Sequence, residues 1–181
     1  MKMLVFSDIH GSVTAARTIA QLNADIRPDI ILLLGDILYH GPRNPLPQEY
    51  LPREAAEILS PLAHKIAAIK GNCDSEVDEV VLSFPLANHL WMMDGPVRIF
   101  ATHGHRLGPD NMPKLAEGDV LLFGHTHVPT AALHETGVYL CNPGSLALPK
   151  EGHPRSYGLI EDGIFTVFSD TGEPYLQLDC N

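Results

Sequence analysis

Five short motifs in this chain combine carboxylate, amide and imidazole side chains, and each closely follows an apolar run. They are Asp8-Ile9-His10, Gly35-Asp36, Gly71-Asn72-Cys73-Asp74, His103-Gly104-His105 and Gly124-His125-Thr126-His127. A mixed set of oxygen and imidazole ligands suits a borderline divalent ion such as manganese, iron or zinc, and it is poorly suited to calcium. The five motifs therefore predict a metal site that draws its ligands from most of the chain.

The elements that position the first three motifs follow an α/β pattern. One helix is predicted from its cap at Ser12 to about Asn23, and a second from Pro52 to Leu59. Short apolar runs before, between and after these helices predict three buried strands: Met3–Phe6, Ile30–Leu34 and Lys65–Ile69. The alternation of strand and helix indicates a parallel sheet with right-handed crossovers.

The second half of the chain is rich in predicted strands and poor in helix. The strands are Leu86–Met92, Val97–Thr102, Val120–Phe123, Ala131–His134, Gly137–Cys141, Ser156–Glu161 and Ile164–Phe168. Asp162-Gly163 predicts a tight hairpin turn between the last two. The predicted fold class is α/β, with a parallel front half packed on an increasingly antiparallel back half as a sandwich of two sheets with helices outside. Residues 1–181 are predicted to form one domain.

A proline-rich segment, Tyr39–Tyr50, follows the Asp36 motif and predicts an ordered loop without regular structure. Loops of this length in compact domains are often functional. His40, Arg43 and Asn44 in this loop are therefore candidates for contact with a substrate.

The spacing places every candidate ligand at the same end of a strand. In an open α/β sheet, ligands bind beyond the carboxyl ends of the strands, so these side chains converge if the strands are neighbours. The pairs Asp8/His10 and His125/His127 have one residue between them, and in extended backbone both members of a pair point to one side. Gly-Asp and Gly-Asn taken singly are more often turns than ligand sites. Five such motifs in register favour a metal site over coincidence.

Composition and charge disfavour several classes of function. The 181 residues include 22 Asp and Glu against 12 Lys and Arg, a formal net charge of −10, which disfavours non-specific binding to nucleic acid or to an anionic membrane. No apolar run approaches the length of a bilayer span, and the apolar start is too short for a signal peptide. Three cysteines without a Cys-x-x-Cys pair indicate free thiols in a reducing compartment. A cytoplasmic location is therefore expected.

The motif series resembles the calcineurin-like metallophosphoesterase superfamily, in which Asp-x-His, Gly-Asp, Gly-Asn-x-Asp, His and Gly-His-x-His occur in this order. The segments Ser7–Gly11, Gly71–Asp74 and Asn142–Ser145 further resemble the small bacterial and archaeal YfcE-type phosphodiesterases, and the resemblance spans essentially the whole chain. It implies a four-layer α/β/β/α sandwich of two mixed sheets flanked by helices, with a dinuclear metal site.

The resemblance also implies the ligands and the chemistry. It implies seven metal ligands: Asp8, His10 and His127 for one ion, Asn72, His103 and His125 for the other, and Asp36 as the bridge. The implied reaction is hydrolysis of a phosphodiester by in-line attack of a hydroxide that the two ions activate. Manganese is the implied ion, with zinc and iron as alternatives. The implied substrate is a small phosphodiester or other phosphorylated molecule, and self-association as a homo-oligomer is a further expectation.

The candidate catalytic residues are Asn72, Cys73, Asp74 and His105. Many members of the superfamily have a histidine where this chain has Cys73, and that histidine is thought to assist the leaving group. A thiol is a weaker hydrogen-bond partner and a poorly matched acid, so Cys73 predicts a preference for activated leaving groups and for diesters over monoesters. The alternative is that Cys73 is a small thiol that fills space. His105, beside His103, either contacts substrate or supports its neighbour.

Three other functions compete with a phosphodiesterase. A phosphomonoesterase or nucleotidase would use the same metal site, and Cys73 is the one residue that distinguishes these activities from that of a phosphodiesterase. A non-enzymatic scaffold of this fold is disfavoured because all seven ligands are present. A structural metal site is disfavoured because such sites are closed and rich in cysteine.

Overall fold

The computed structural model describes residues 1–181 and contains twelve strands and three α-helices. The strands are β1 (Met3–Phe6), β2 (Ile30–Leu33), β3 (Ile66–Ile69), β4 (Leu86–Ala87), β5 (His89–Asp94), β6 (Val97–Thr102), β7 (Val120–Leu122), β8 (Thr130–Leu133), β9 (Tyr139–Asn142), β10 (Ser156–Glu161), β11 (Ile164–Ser169) and β12 (Pro174–Asp179). The helices are α1 (Val13–Ile26), α2 (Pro52–Leu59) and α3 (Glu76–Val81), and a 3₁₀ segment covers Ser60–Lys65.

These strands form two mixed sheets. The first has seven strands in the order β12-β11-β10-β1-β2-β3-β4, and the second has five in the order β5-β6-β7-β9-β8. Strands β1 to β4 are parallel, as the strand–helix–strand pattern predicts. The back half is less antiparallel than predicted, because β6, β7 and β9 are parallel neighbours. Parallel strands are usually joined by a crossover that contains an α-helix, but these connections contain none. The sequence therefore has no helical pattern here that would predict parallel strands.

Alternate residues of β1 pack on opposite faces of the first sheet. Met3 and Val5 belong to a core shared with the second sheet, whereas Leu4 and Phe6 belong to a core shared with α1 and α2. All four residues are buried. A strand that is buried on both faces reads as a continuous apolar run, which is the pattern seen in the sequence.

The outer face of the second sheet carries no α-helix. Three apolar residues of the irregular segment 103–119, namely Leu107, Met112 and Leu115, pack on it instead. The predicted sandwich of two mixed sheets with flanking helices is confirmed. The layer outside the second sheet, predicted to be helical in the α/β/β/α arrangement, is irregular chain. Two prolines and three glycines between residues 103 and 119 oppose a continuous helix.

Most predicted strands and both predicted helices are confirmed, with small shifts at their ends. The predicted strand Leu86–Met92 is two strands, because the chain bends at Asn88 and passes from the first sheet to the second. Helix α3 and strand β12 are absent from the prediction. Helix α3 has six residues and buries none of them, and β12 is a largely exposed edge strand, so neither has a strong apolar pattern.

Two local signals in the sequence are confirmed in detail. The hydroxyl of Ser12 accepts a hydrogen bond from the backbone N–H of Ala15 at 3.2 Å and caps α1. Asp162 and Gly163 both have positive φ, as a two-residue hairpin turn of the primed type requires. None of the helices has the length and apolar character that a bilayer-spanning segment needs.

Candidate metal centre

The five motifs meet at one end of the sandwich, where parallel strands of both sheets terminate. The first three motifs follow β1, β2 and β3, which are neighbours in the first sheet, and the last two follow β6 and β7, which are neighbours in the second. Potential ligand atoms lie within 4.8 Å of one another in three overlapping groups: Asp8 with His10 and His127, Asp8 with Asp36 and His103, and His10 with Asp36 and Cys73.

The backbone at this site is not extended, contrary to the prediction for the pairs Asp8/His10 and His125/His127. These four residues have left-handed φ angles of 50° to 66°, and Asp36 has a φ of 53°. Nine non-glycine residues in the chain have positive φ, and five of them are predicted ligands. Each such conformation costs about 1–3 kcal/mol, so the surrounding structure must impose it. The side chains of each pair converge because the backbone turns, not because a strand alternates.

Asp8 is a buried carboxylate with one oxygen that no hydrogen-bond donor satisfies. Its Oδ2 accepts from the Ser7 hydroxyl at 2.6 Å and from the backbone N–H of His125 at 2.9 Å. Its Oδ1 has no hydrogen-bond partner and lies 3.3 Å from Nε2 of His127 and 3.7 Å from Nε2 of His10. Buried polar atoms are nearly always satisfied, so this free oxygen marks a place for a cation.

Three buried histidine rings are oriented by main-chain carbonyl groups. Nδ1 of each ring is within hydrogen-bond distance of one carbonyl oxygen: His10 of Tyr39 at 2.8 Å, His103 of Leu34 at 2.7 Å and His127 of Leu148 at 2.5 Å. A neutral ring that donates from Nδ1 presents a lone pair at Nε2, which is how metal-binding histidines are commonly held. All three Nε2 atoms are therefore prepared to bind an ion.

The inward-facing acceptors oppose one another in pairs. Nε2 of His10 and Nε2 of His127 are 3.3 Å apart, and Nε2 of His103 lies 3.1 Å from Oδ1 of Asn72. With the Nδ1 protons donated to carbonyl groups, both members of each pair are acceptors. A cation beside each pair would satisfy both of its members.

Asp8 and His10 shift each other's pKa. Burial by itself raises the pKa of Asp8, but the neighbouring His10 and His127 reverse that shift and hold the pKa well below its ordinary value. Burial by itself lowers the pKa of His10, but the Asp8 carboxylate outweighs it and the pKa is raised. The Asp8 carboxylate and the His10 imidazole thus attract each other, and an ion bound beside them would compete with a proton for Nε2 of His10.

Asp36 lies between the two pairs of acceptors. Its Oδ2 is 3.8 Å from Nε2 of His10, and its Oδ1 is 3.5 Å from Nε2 of His103. The backbone N–H of Cys73 donates to Oδ1 at 2.8 Å and fixes the carboxylate. A Cβ atom at Gly71 would collide with Asp36, so the glycine makes room for it. Each oxygen faces a different histidine, as a bridging ligand requires.

His125 and Asn72 stand at the more open side of the centre. The ring centroid of His125 is 5.1 Å from that of His103. Burial, assisted by the charge of His103, lowers the pKa of His125, so this ring is neutral and able to bind an ion at neutral pH. Asn72 is exposed, yet its amide oxygen points at His103.

The donor set fits divalent ions. Ligand atoms bound about 2.0–2.2 Å from one ion lie roughly 3–3.5 Å apart, close to the separations of 3.1 to 3.8 Å between the facing atoms. Carboxylate, imidazole and amide donors together suit manganese, iron or zinc. The residues present therefore match the dinuclear group that the resemblance implies.

Comparison with protein families agrees with this geometry. The model of the calcineurin-like phosphoesterase superfamily domain matches residues 1–162. The chain belongs to this superfamily. Every motif of the candidate metal centre lies within the matched residues.

Individual members of the superfamily are similar along most of their length. The chain is 44% identical to phosphodiesterase YfcE of Escherichia coli strain K12 over 170 residues, which are 93% of this chain and 92% of that protein. The solved structure of YfcE, a phosphoesterase from E. coli, matches with a TM-score of 0.96 and 42% identity over 100% of both chains. The probable metallophosphoesterase YsnB of Bacillus subtilis strain 168 is 28% identical over 167 residues, 88% of this chain and 83% of that protein.

Asp74 holds the backbone of the centre instead of facing the ligands. Its Oδ2 accepts from the backbone N–H groups of Asp36 and Gly71, each at 2.7 Å, and its Oδ1 accepts from that of Ile37 at 2.8 Å. Both carboxylate oxygens are thus occupied by main-chain donors. The structure gives this candidate catalytic residue a positioning role, because it joins the ends of β2 and β3 and seats Asp36.

Asp74→Ala is expected to lower the free energy of unfolding by about 3 kcal/mol, because three buried N–H groups lose their acceptor. Urea denaturation of the two proteins measures this difference. Asp170→Ala is the matched control, since the Asp170 side chain is exposed and makes no hydrogen bond. A loss below about 1 kcal/mol for Asp74→Ala would contradict the positioning role.

Cys73 lies at the edge of the metal centre. Its thiol is within 4.8 Å of potential ligand atoms of His10 and Asp36 and accepts from the side-chain amide of Asn72 at 3.2 Å. Burial, with the negative charge of Asp36, raises the pKa of the Cys73 thiol to about 12. Without bound ions, the thiol is therefore protonated at neutral pH.

His105 lies beside the centre. Its ring centroid is 5.3 Å from that of His103 and 6.2 Å from that of His125. Burial, and then the charges of His103 and Arg106, lower the pKa of His105. The ring lines a neighbouring groove of about 530 Å³ together with Arg106 and Glu151. His105 is therefore placed to contact a bound molecule at the margin of the site.

The Asn142–Ser145 motif supports the centre from the second sheet. The hydroxyl of Ser145 donates to the carbonyl oxygen of Asp8 at 2.8 Å and accepts from the backbone N–H of Leu148 at 2.9 Å. Leu148 is also the residue whose carbonyl group orients His127. One side chain thus fixes the backbone of a ligand and the residue that orients another.

An open cleft of about 850 Å³ leads to the centre. Arg43 and Asn44, two of the predicted substrate-contact residues, line this cleft, but His40 does not. Nδ1 of His40 is buried without a hydrogen-bond partner. Lys150 and Thr126 also line the cleft and were not singled out from the sequence, since neither residue type in isolation signals a site.

Proposed function

We propose that this chain is a metal-dependent phosphodiesterase that hydrolyses a small phosphodiester. The observation that carries the proposal is the set of inward-facing acceptors around Asp36, which comprises the free Oδ1 of Asp8 and the Nε2 atoms of three buried histidines. The 44% identity to phosphodiesterase YfcE of E. coli supports the diester as the substrate class.

The seven ligands divide between two ions. Asp8, His10 and His127 would hold the first, Asn72, His103 and His125 would hold the second, and Asp36 would bridge them. When bound, the two ions supply Lewis acidity, which draws in the phosphate oxygens, lowers the pKa of the attacking water and offsets the charge of the transition state.

The chain's own residues provide orientation. Main-chain carbonyl groups hold three of the imidazoles with Nε2 inward, so these ligands are in place before substrate arrives. The backbone N–H of Cys73 holds Asp36 with one oxygen toward each half of the site. Such preorganisation is the chief contribution of a protein scaffold to phosphoryl transfer.

The charge balance of the site favours an anionic substrate. The whole chain has a formal charge of −10, but two divalent ions more than neutralise the carboxylates of Asp8 and Asp36. The loaded centre is then positive on an acidic protein, and it attracts a phosphate group that the rest of the surface repels.

Cys73→His is expected to lower the preference for diester over monoester, measured as a ratio of kcat/KM values, by about tenfold or more. An imidazole is a better matched acid than a thiol and assists a poor leaving group, and general acid catalysis contributes at least about 10²-fold when fully expressed. The ratio is measured with p-nitrophenyl and alkyl esters of both classes. Cys73→Ser is the matched control, because it keeps the size but adds no imidazole. An unchanged ratio in Cys73→His would remove Cys73 as a determinant and favour the space-filling alternative.

A phosphomonoesterase or nucleotidase on the same dinuclear site is the alternative activity, and the metal ligands alone do not separate it from a diesterase. A non-enzymatic scaffold of this fold is disfavoured, because the structure brings all seven predicted ligands to one end of the sandwich.

The proposal is tested by hydrolysis of bis-p-nitrophenyl phosphate and of p-nitrophenyl phosphate by metal-stripped protein with manganese added back. Manganese-dependent turnover of the diester well above that of the monoester supports it. A preference for the monoester favours the phosphatase alternative. Absence of turnover with manganese, zinc and iron alike would favour the scaffold.

Four further properties of the protein are predictions. They are that residues 1–181 act as one domain, that manganese is the native ion, that the protein forms a homo-oligomer and that it is cytoplasmic. Ligand type does not settle the ion, because metal availability as well as affinity determines which ion a site holds.

A further inference from the structure

The cleft in front of the metal centre is lined by cations that nothing in the protein neutralises. Five of the twelve Lys and Arg side chains make no ion pair and no hydrogen bond. They are Arg27, Arg43, Arg106, Lys114 and Lys150. Arg43 and Lys150 both line the 850 Å³ cleft. Beyond Asp36, which faces the metal ligands, this cleft has no acidic residue in its wall, although acids outnumber bases in the chain.

Both cations stand on segments that are tied to a metal ligand. Arg43 comes four residues after Tyr39, whose carbonyl oxygen accepts from His10. Lys150 comes two residues after Leu148, whose carbonyl oxygen accepts from His127. The backbone N–H of Lys150 also donates to the carbonyl oxygen of His127 at 3.4 Å.

The loop that carries Arg43 has a defined shape. The side chain of Asn44 donates to the carbonyl oxygen of His40 at 2.9 Å and closes a turn. Gly41, with a φ of 75°, lies against the Cys73 thiol, and a Cβ atom there would come within 2.7 Å of the sulfur. Arg43 is therefore presented beside the metal centre by a loop that packs on it.

The cations exceed what a simple diester needs. A phosphodiester bears one negative charge, and two divalent ions with Asp8 and Asp36 already leave a positive centre to meet it. Arg43 and Lys150 add two more positive charges in the same cleft, and no protein acid balances them. Unpaired cations around a cleft of an acidic protein indicate a ligand with further negative charge.

We infer that Arg43 and Lys150 form an anion subsite and that the substrate is a phosphodiester with a second anionic group, a phosphate or a carboxylate, on one of its two ester substituents. This inference rests on the proposed function and narrows its substrate class. Arg43 and Lys150 are specificity-determining residues that bind the second anion, while the reaction takes place at the metal centre.

The test compares three p-nitrophenyl diesters that share a leaving group and differ in the other substituent. These are the esters of ethyl phosphate, of 2-carboxyethyl phosphate and of phosphocholine, which carry an uncharged, an anionic and a cationic substituent. With manganese-loaded protein, kcat/KM is expected to be about tenfold higher for the anionic than for the uncharged substituent, chiefly through KM, and lowest for the cationic one. Raised ionic strength should weaken the preference, because the subsite is open to solvent.

The variants Arg43→Gln and Lys150→Gln are each expected to lower the anionic-to-uncharged ratio of kcat/KM by about threefold or more, and the double variant to abolish the preference. Lys114→Gln is the matched control, since Lys114 is an unpaired exposed cation outside the cleft, and it should keep the wild-type ratio. Equal kcat/KM values for the three esters would overturn the subsite. A preference that survives in the double variant would overturn it too.

A binding measurement separates the failure of this inference from the failure of the proposed function. Methylphosphonate monoesters with the same substituents cannot lose a p-nitrophenoxide, and their dissociation constants are measured by calorimetry. Tighter binding of the 2-carboxyethyl compound that is lost in the double variant supports the subsite. If no ester is turned over at the same time, only the proposed activity is contradicted. If the ethyl ester is turned over and the methylphosphonate analogues bind equally well, only the subsite is contradicted.

Discussion

Asp36→Asn is expected to lower kcat for the diester on the order of 10³-fold while the fold is retained. Asparagine keeps an oxygen for the Cys73 N–H, which donates to Oδ1 at 2.8 Å. It places an N–H₂ group where Oδ2 now faces His10 at 3.8 Å, and an amide nitrogen cannot bind a metal ion. Loss of a bridge between two ions removes several kcal/mol of charge stabilisation, which corresponds to this factor. Steady-state kinetics with saturating manganese measures the effect.

The control for this variant is Asp170→Asn, which removes a carboxylate from an exposed position that lines neither the cleft nor the neighbouring groove. Circular dichroism and urea denaturation of both variants establish that they are folded. If Asp36→Asn keeps more than about a tenth of the wild-type kcat, Asp36 is not a bridging ligand and the two halves of the site act separately.

Asp8→Asn is expected to abolish turnover and to change the free energy of unfolding of the metal-stripped protein by no more than about 2 kcal/mol. The asparagine oxygen can accept from the Ser7 hydroxyl and the His125 N–H as Oδ2 does now. Its N–H₂ group then points at the Nε2 lone pairs of His10 and His127, which lie 3.7 and 3.3 Å from Oδ1. The variant therefore loses the attraction between the carboxylate and the imidazoles, while its amide donors face those rings, so the fold is retained.

Stability is measured by urea denaturation after chelation, and activity is measured with manganese restored. The same pair of measurements on Asp170→Asn shows the effect of removing a charge without changing the site. If Asp8→Asn destabilises the stripped protein by more than about 2 kcal/mol, its loss of turnover reflects a damaged fold and does not identify Asp8 as a ligand. If the variant keeps activity, Asp8 is not a ligand.

The architecture around the centre could be predicted from the sequence because its signals are local. Strand β1 is a short apolar run, Ser12 caps α1, and Asp162-Gly163 forms the predicted turn. The place of the ligands followed from one topological rule, since residues at the carboxyl ends of neighbouring parallel strands share an edge. These features depend on few residues each, so no knowledge of the packing was needed.

The backbone conformation of the ligands could not be predicted in this way. Asp8, His10 and Asp36 have left-handed φ angles of 50° to 55°, which local preference alone disfavours and which tertiary structure imposes. The role of Asp74 was missed for a related reason. Its contacts with the backbone of Asp36 and Ile37 join residues far apart in sequence, and a Gly-Asn-x-Asp motif reads equally well as a set of reacting groups.

The anion subsite also could not be predicted from the sequence. The length and proline content of the Tyr39–Tyr50 loop make Arg43 a candidate, whereas Lys150 belongs to no motif. What distinguishes them is the absence of a partner in the folded chain. Absence of pairing is a property of the whole structure, so it has no counterpart in a short stretch of sequence.

The most direct test of the account is the number of ions that one chain binds. Metal-stripped wild-type protein is equilibrated with manganese and, in parallel, with zinc, and bound metal is counted by elemental analysis against protein concentration. We expect two ions per wild-type chain with at least one of these metals, and no more than one in Asp36→Asn. A single ion in the wild type, or none with either metal, would contradict the dinuclear centre on which the proposed hydrolysis depends.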